Sequence, residues 1–284
     1  ALLDAGVDLK GKIIVSAVVN EEIGGTGTEY IVNKGLVEGN ACLLGDGPAE
    51  YPTAYQGGAL QFSFTIKGIR RHAMAYPDLP PKYRNQYSGI NAVHKMIPIM
   101  NFLMKLQDEF EKRETKYPVH PDLPKKICSV SITKIDGGNA VDTVADNCNL
   151  QCLINVIPEQ DIYNVRTKVL NFVEELKKND PDLDIIVQNP VTKVPQITDI
   201  NSKFAAVVKG AFKTVFNEER EFKAFIPTTD AHYFQSKGIE TITIGPFRGD
   251  NNIHAQDEFV YINDLINTTK IYALTALNYL KSDF

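Results

Sequence analysis

Short apolar runs alternate with amphipathic stretches along the chain, and the style of alternation changes twice. Lys12–Val19 (KIIVSAVV) is apolar at nearly every position. That pattern predicts a strand buried on both faces, as in α/β sheets. Gly24, Gly25 and Gly27 end it, Thr28–Lys34 predicts a helical turn, and Ala41–Leu44 a second short strand. After Gly57-Gly58 the style changes. Ala59–Lys67 (ALQFSFTIK) alternates strictly, which predicts a strand with one solvated or interfacial face. If it lies at a sheet edge, its backbone groups are free to pair with a second copy.

Ile90–Lys112 is helical in period through Val93, Ile97, Met100, Met104 and Phe110, with Pro98 expected to kink it or delay its start. Strands are predicted at Ile127–Ile135, Asn149–Val156 and Asp184–Gln188, and an amphipathic helix at Asp161–Lys178. The order over residues 59–189 is therefore β-α-β-β-α-β, the ferredoxin-like pattern. The α/β style then resumes, with helices at Asn201–Phe216, Thr229–Lys237 and Ile262–Leu280 around a strand at Glu240–Ile244. The expected fold is an α/β domain in two pieces, residues 1–58 and 190–284, with a ferredoxin-like domain inserted at 59–189.

Composition narrows the function classes. The formal charge is −5 over 284 residues, with no long basic tract, which argues against nucleic-acid binding. No apolar run reaches the length of a membrane span. Ala1–Lys10 reads as globular sequence, not as a leader. The four cysteines, Cys42, Cys128, Cys148 and Cys152, lack the paired spacing of a structural zinc site and read as small hydrophobes. A cytoplasmic location is the expectation.

The chemistry-bearing residues gather at expected strand ends and loops: Glu21-Glu22, Asp46, Asp230 and His254. Carboxylates with one imidazole suit zinc or a similar divalent ion. Neighbouring glutamates can divide the work, one binding metal while the other moves a proton. Taken singly, a Glu-Glu pair is more often a solvated surface pair, and a lone histidine beside an acid is usually structural or exposed.

Their context is more specific. Asn20-Glu21-Glu22-Ile23-Gly24-Gly25-Thr26-Gly27 resembles a "DEE-x-GG-x-G" element, and Gly45-Asp46-Gly47-Pro48 a "GEP" element. Gly68–Pro77 resembles "G-x-x-x-H-x-x-x-P", and Gly89-Ile90-Asn91-Ala92 resembles "G-x-NA". Gly137-Gly138 with Asp142–Asp146 resembles "GG…N-x-x-P-D", and Thr228-Thr229-Asp230-Ala231 resembles "TSD-A/G". Gly245-Pro246 followed by His254 and Glu258 resembles "GP…H-x-x-x-E". In this order they resemble the zinc-dependent family of aminoacylases, acetylornithine deacetylases, succinyl-diaminopimelate desuccinylases, carboxypeptidase G and dipeptidases.

The resemblance implies a split phosphorylase/hydrolase-like metallopeptidase domain carrying a lid and dimerisation domain. It implies hydrolysis of an amide bond in a short peptide or N-acyl amino acid, two zinc ions per intact site with cobalt or manganese as alternatives, and a homodimer through the lid. Glu21 corresponds to the general base and His72 to the oxyanion donor. Glu22 and His254 correspond to ligands of one metal, and Asp46 to a ligand of the other. Asn91, Thr228, Gly245 and Arg248 correspond to substrate-pocket elements. The sequence departs from the family pattern in three places. Only 20 residues precede Glu21, and they hold no histidine, so the family's amino-terminal ligands have no counterpart. Asn155 stands where an arginine is usual, and Asp142 and Ala145 replace the usual Asn and Pro. The competing expectation is a metal-poor, non-catalytic relative or fragment that serves in binding or assembly.

Overall fold

The computed structural model describes residues 2, 4, 6–73, 80, 83, 87–121, 128–188, 190–225 and 227–281. It is a mixed α/β fold with two sheets. A 3-10 turn at Glu21–Ile23 precedes α1 (Thr26–Asn33), β1 (Ala41–Leu44), β2 (Thr53–Gln56) and β3 (Gly58–Lys67). Next come α2 (Ala92–Phe110), β4 (Ser129–Gly137), β5 (Asn147–Val156), α3 (Ile162–Asn179) and β6 (Asp184–Val187). The chain closes with β7 (Val191–Lys193), β8 (Gln196–Ile197), α4 (Lys203–Phe216), β9 (Lys223–Phe225), α5 (Ala231–Gln235), β10 (Glu240–Thr243) and α6 (Ile262–Lys281).

Contacts divide the chain into two compact units. One comprises Ala1–Gly57, Thr115–Lys125 and Lys193–Phe284; the other comprises Gly58–Glu114 and Lys126–Thr192.

In the first unit the sheet order is β1-β10-β2-β8, with β9 also paired to β2. β1 and β10 are parallel, from Ala41 opposite Glu240 to Leu44 opposite Thr243. Helix α4 turns Phe204, Ala205, Val208, Ala211 and Phe212 inward, a spacing that follows from 3.6 residues per turn. Ser202 caps it by accepting from the Ala205 N–H at 3.1 Å. These side chains form one core with Ala54, Phe222, Ala224, Ile242 and Ile271. The Thr115–Lys125 segment belongs here although its neighbours in sequence belong to the other unit. Tyr117 stacks on Tyr55 at 4.0 Å between ring centroids, and Pro118 O accepts from Ala224 N at 2.7 Å.

Lys12–Val19 is not a strand. It has no ladder partner among the described residues, and Val15 is 91% exposed. The run has the right side chains for a buried strand, but a strand also needs a neighbour to take up its backbone donors and acceptors.

In the second unit the antiparallel order is β4-β5-β3-β6. β3 pairs with β5 along its whole length, from Gly58 opposite Val156 to Lys67 opposite Asn147. It pairs on its other side with β6. β3 is thus interior, so the condition under which its backbone would pair with a second copy is not met; β4 and β6 end the four-strand path. Its alternation places Leu60, Phe62, Phe64 and Ile66 in the core. Both α2 and α3 pack on β3, and Phe102 of α2 stacks on Phe172 of α3 at 4.1 Å. α2 starts at Ala92, capped by the Asn91 side chain, and continues through Pro98. Pro98 therefore does not delay the start. Residue 127 and the end of the Gly68–Pro77 element lie outside the described residues.

Gly68 follows β3 where three backbones meet. A Cβ there would lie 2.1 Å from Ile90 O and 2.8 Å from Ala145 O. Neither backbone atom can swing away as a side chain would. Gly68→Ala is expected to destabilise the protein by about 1–3 kcal/mol. A urea-unfolding midpoint equal to that of the parent protein would contradict this.

Candidate active site

The Glu-Glu element sits on a tight turn that glycine makes feasible. Asn20, Gly24 and Gly25 have φ of 64°, 111° and 70°, in the left-handed region. A Cβ on Gly25 would fall 2.0 Å from Asp230 Oδ1, so the turn and the start of α5 can meet only at glycine. Asp230 is buried, and its Oδ2 accepts from the Thr28 hydroxyl at 2.6 Å. Tyr233 donates to Gly24 O at 2.6 Å. Asp230 thus anchors the start of α1 and Tyr233 the turn itself.

Glu21 is ion-paired. Lys193 Nζ, itself buried, donates to Glu21 Oε1 at 2.7 Å and to Glu21 O at 3.3 Å. Grasping both the carboxylate and the backbone carbonyl of one residue limits the rotamers that residue can adopt. Glu22 Oε1 lies 3.1 Å from His254 Nε2, with both side chains exposed. His254 has a positive φ of 61°, and its N–H donates to Glu258 Oε2 at 3.3 Å.

Asp46 leaves the carboxyl end of β1. Its pKa is pushed up to about 6. Burial is the main cause; the charges of Glu21, Glu22 and Asp230 add to it, and Lys193 opposes it. The fold of this unit therefore brings Glu21, Glu22, Asp46, Asp230 and Lys193 into one electrostatic neighbourhood, with His254 against Glu22. Sequence reasoning missed Lys193. Its partner is 172 residues away, and no motif surrounds it.

The other candidates are placed differently. His72 lies in the second unit, exposed and bridged to Thr143. The Asn91 side chain caps α2 by accepting from Val93 N and His94 N. Thr228 is half-buried beside Thr229, whose hydroxyl donates to Gln56 Oε1 at 2.9 Å. Gly245 is a close-approach glycine: a Cβ would meet Gly47 O at 2.5 Å and Gly45 O at 2.6 Å. Arg248 donates through Nε and Nη2 to the buried Asp264 carboxylate, and through Nη1 to Glu50 Oε1 at 3.2 Å.

The donors suit a divalent metal in kind. In number, Glu22 and His254 form a converging pair, and no group of three or more His, Cys, Asp or Glu among the described residues is placed to hold one ion. Structural and catalytic zinc sites use three or four protein ligands. The described residues thus offer part of a ligand set.

A model of the family described as Peptidase family M20/M25/M40 matches residues 1–278. The chain belongs to this family. M20/M25/M40 membership implies a divalent metal cofactor, typically zinc. Over 296 residues the chain is 21% identical to a probable succinyl-diaminopimelate desuccinylase of Staphylococcus aureus (strain MSSA476), covering 96% of this chain and 68% of that protein. It is 23% identical to an N-formyl-4-amino-5-aminomethyl-2-methylpyrimidine deformylase of Bacillus subtilis (strain 168), covering 94% and 64%. Human carnosine dipeptidase 1 shares the fold with a TM-score of 0.65 at 17% identity, over 92% of this chain and 64% of that one. A Staphylococcus aureus tripeptidase does so with a TM-score of 0.65 at 16% identity, over 93% and 62%. The chain spans about two-thirds of the length of these relatives.

Asp46 provides a titration test of the site. Its native pKa of about 6 lies above the ordinary 3.8. The native state therefore binds the proton more tightly, and this contribution to stability is full below about pH 3.8 and lost as pH rises through 6. In chelator-treated protein, the Asp46 carboxyl is expected to titrate near pH 6 by carbon-detected NMR. Lys193→Met should raise that midpoint further. A midpoint at the ordinary value, or one lowered by the substitution, would contradict the geometry.

Proposed function

We propose that the protein is a dizinc amide hydrolase acting on short peptides or N-acyl amino acids. The observation that carries this is the convergence of Glu21, Glu22, Asp46 and His254 in one unit, from three separate stretches of a chain matched over residues 1–278 by the peptidase family. Glu22 and His254 would hold one ion and Asp46 the other, with zinc as the metal and cobalt or manganese as alternatives. The bound metal would supply Lewis acidity to the scissile carbonyl and to water.

The chain's own residues would do the rest. Glu21 takes the proton of the attacking water and passes it to the leaving amine. Lys193 restrains the Glu21 carboxylate, so the base starts from one rotamer. Asp46, half-protonated near pH 6, must lose its proton before it can serve as a ligand, which ties metal affinity to pH. His72 donates to the oxyanion. Asn91, Thr228, Gly245 and Arg248 shape the substrate pocket.

Residues 1–58 and 190–284 form the catalytic domain in this reading, and residues 59–189 a ferredoxin-like lid that dimerises. The strand order β4-β5-β3-β6, with α2 and α3 on β3, supports that topology. β4 and β6, the ends of its four-strand path, leave backbone groups for a second copy. The four free cysteines suit a cytoplasmic protein. No helix among the described residues is long and apolar enough to cross a membrane.

Glu21→Gln keeps size and hydrogen bonding but removes the base. Turnover of dipeptides or acyl-amino acids by the metal-loaded enzyme is expected to fall by about 10² to 10⁴, with zinc content unchanged. Glu22→Gln should lower both turnover and zinc content. Full hydrolysis by Glu21→Gln would end this assignment. Sedimentation at micromolar concentration should give a dimer, and a monomer would count against the lid interface.

A further inference from the structure

Among the described residues, five that are not glycine have a left-handed backbone: Asn20, Asn217, Asn252, His254 and Asp257, with φ between 54° and 64°. Asn217 ends α4, where such a residue is common. The other four lie on the two segments that carry Glu22 and His254. Backbone in this region persists only where its surroundings impose it. Something must therefore hold the loop around His254.

The holding groups are nested. At the base, Arg248 donates through Nε and Nη2 to the Asp264 carboxylate, which is buried in the first turn of α6. One step inward, the Tyr261 hydroxyl donates to Asp250 Oδ2 at 2.8 Å. Next, Phe259 N donates to Asn251 O at 3.1 Å. Nearer the tip, Asn252 Nδ2 reaches Asp257 O at 3.5 Å, and Ala255 N donates to Asn252 O at 2.9 Å. Each of these cross-links joins a residue before His254 to one after it, and the intervals shrink toward the histidine. Asn251 is buried, and its Oδ1 also accepts from Arg248 N at 2.6 Å, which ties the innermost links to the base.

At the tip, His254 Nε2 and Glu22 Oε1 approach to 3.1 Å between two exposed side chains. An exposed ion pair is screened and gains little. It cannot impose a left-handed backbone on three loop residues. The dependence runs the other way, from the cross-links to the position of the imidazole.

We propose that Asn251 and the Arg248–Asp264 pair are positioning residues for His254. They hold the loop from Arg248 to Phe259 in a conformation that sets the imidazole against Glu22 before a divalent ion arrives. The proposal rests on the reading of Glu22 and His254 as ligands of one ion; the holding of the loop rests on its own hydrogen bonds. Ligands that have already converged lose less freedom on binding, so the loop raises metal affinity without these groups touching the ion.

The test uses the 284-residue chain, stripped of metal by a chelator, and follows the His254 ring protons by NMR. In the parent protein they should show nuclear Overhauser contacts to the Glu22 side chain. Zinc is then titrated in, and the shift of the same protons gives the affinity. Asn251→Ala removes the side-chain acceptor. It should abolish the contacts to Glu22 and weaken zinc binding at the ring by about tenfold or more, as loss of an outer partner of a metal ligand commonly does. Asn251→Asp should restore both, because it keeps the acceptor and Asn251 Nδ2 has no partner among the described residues to lose. Where Asn251→Ala fails to fold, Tyr261→Phe removes one cross-link from an exposed ring and should weaken zinc binding about threefold. Absence of the contacts in the parent, their persistence in folded Asn251→Ala, or parent-like zinc affinity in whichever variant folds would overturn the proposal. No zinc binding at the ring, or binding that Glu22→Gln leaves unchanged, would instead remove the metal reading. The contacts in the metal-free protein would then still decide whether the cross-links position His254.

Discussion

The parallel ladder between Ala41–Leu44 and Glu240–Thr243 is the constraint on which the site depends. It joins two stretches nearly two hundred residues apart. Because the strands are parallel, both carboxyl ends emerge at the same edge, where open α/β sheets gather their chemistry. Asp46 leaves one of these ends, and the loop leading to His254 leaves the other. The two exits run so close that only glycine fits at position 245, against the backbones of Gly45 and Gly47. The "GP" element is thus first a packing requirement. Its effect on the site follows from holding two loops in register.

Charge balance is the second organising element. Burial first, then the charges of Glu21, Glu22 and Asp230, raise the Asp46 pKa, and a single buried ammonium, Lys193, works against them. A cluster of carboxylates brought together by a fold is costly unless something compensates. Here Lys193 is the compensation that the described residues provide, and a bound divalent ion would be a stronger one. The same ammonium fixes Glu21, so positioning and charge balance are not separable at this residue.

Local periodicity made much of the secondary structure legible in the sequence. The expected helix at Asp161–Lys178 corresponds to α3 at Ile162–Asn179, capped by Asp161. The alternation in β3 identified its buried residues correctly, because alternation reports which side chains face the core. It cannot report which strands lie alongside, and so β3 turned out to be interior. Lys12–Val19 failed for the same reason in reverse, having a strand's side chains and no partner. At the site, motif order singled out Glu21, Glu22, Asp46 and His254, and the fold places Glu21 and Glu22 in the electrostatic surroundings of Asp46 and His254 against Glu22. Motif order missed Lys193, whose role exists only after the fold closes, and it could not show that Arg248 is already held by Asp264 and Glu50.

The unpartnered Lys12–Val19 run has a consequence for handling the protein. Exposed apolar side chains on a segment outside any ladder form a template for intermolecular β-pairing. Val15 and Val19 stand open to solvent on this segment. Long-range repulsion from a net charge of −5 is screened at physiological salt, within a Debye length of about 8 Å. It offers little protection to a local sticky edge. A charged substitution at Val15 would therefore remove exposed apolar surface at this one segment without touching the core.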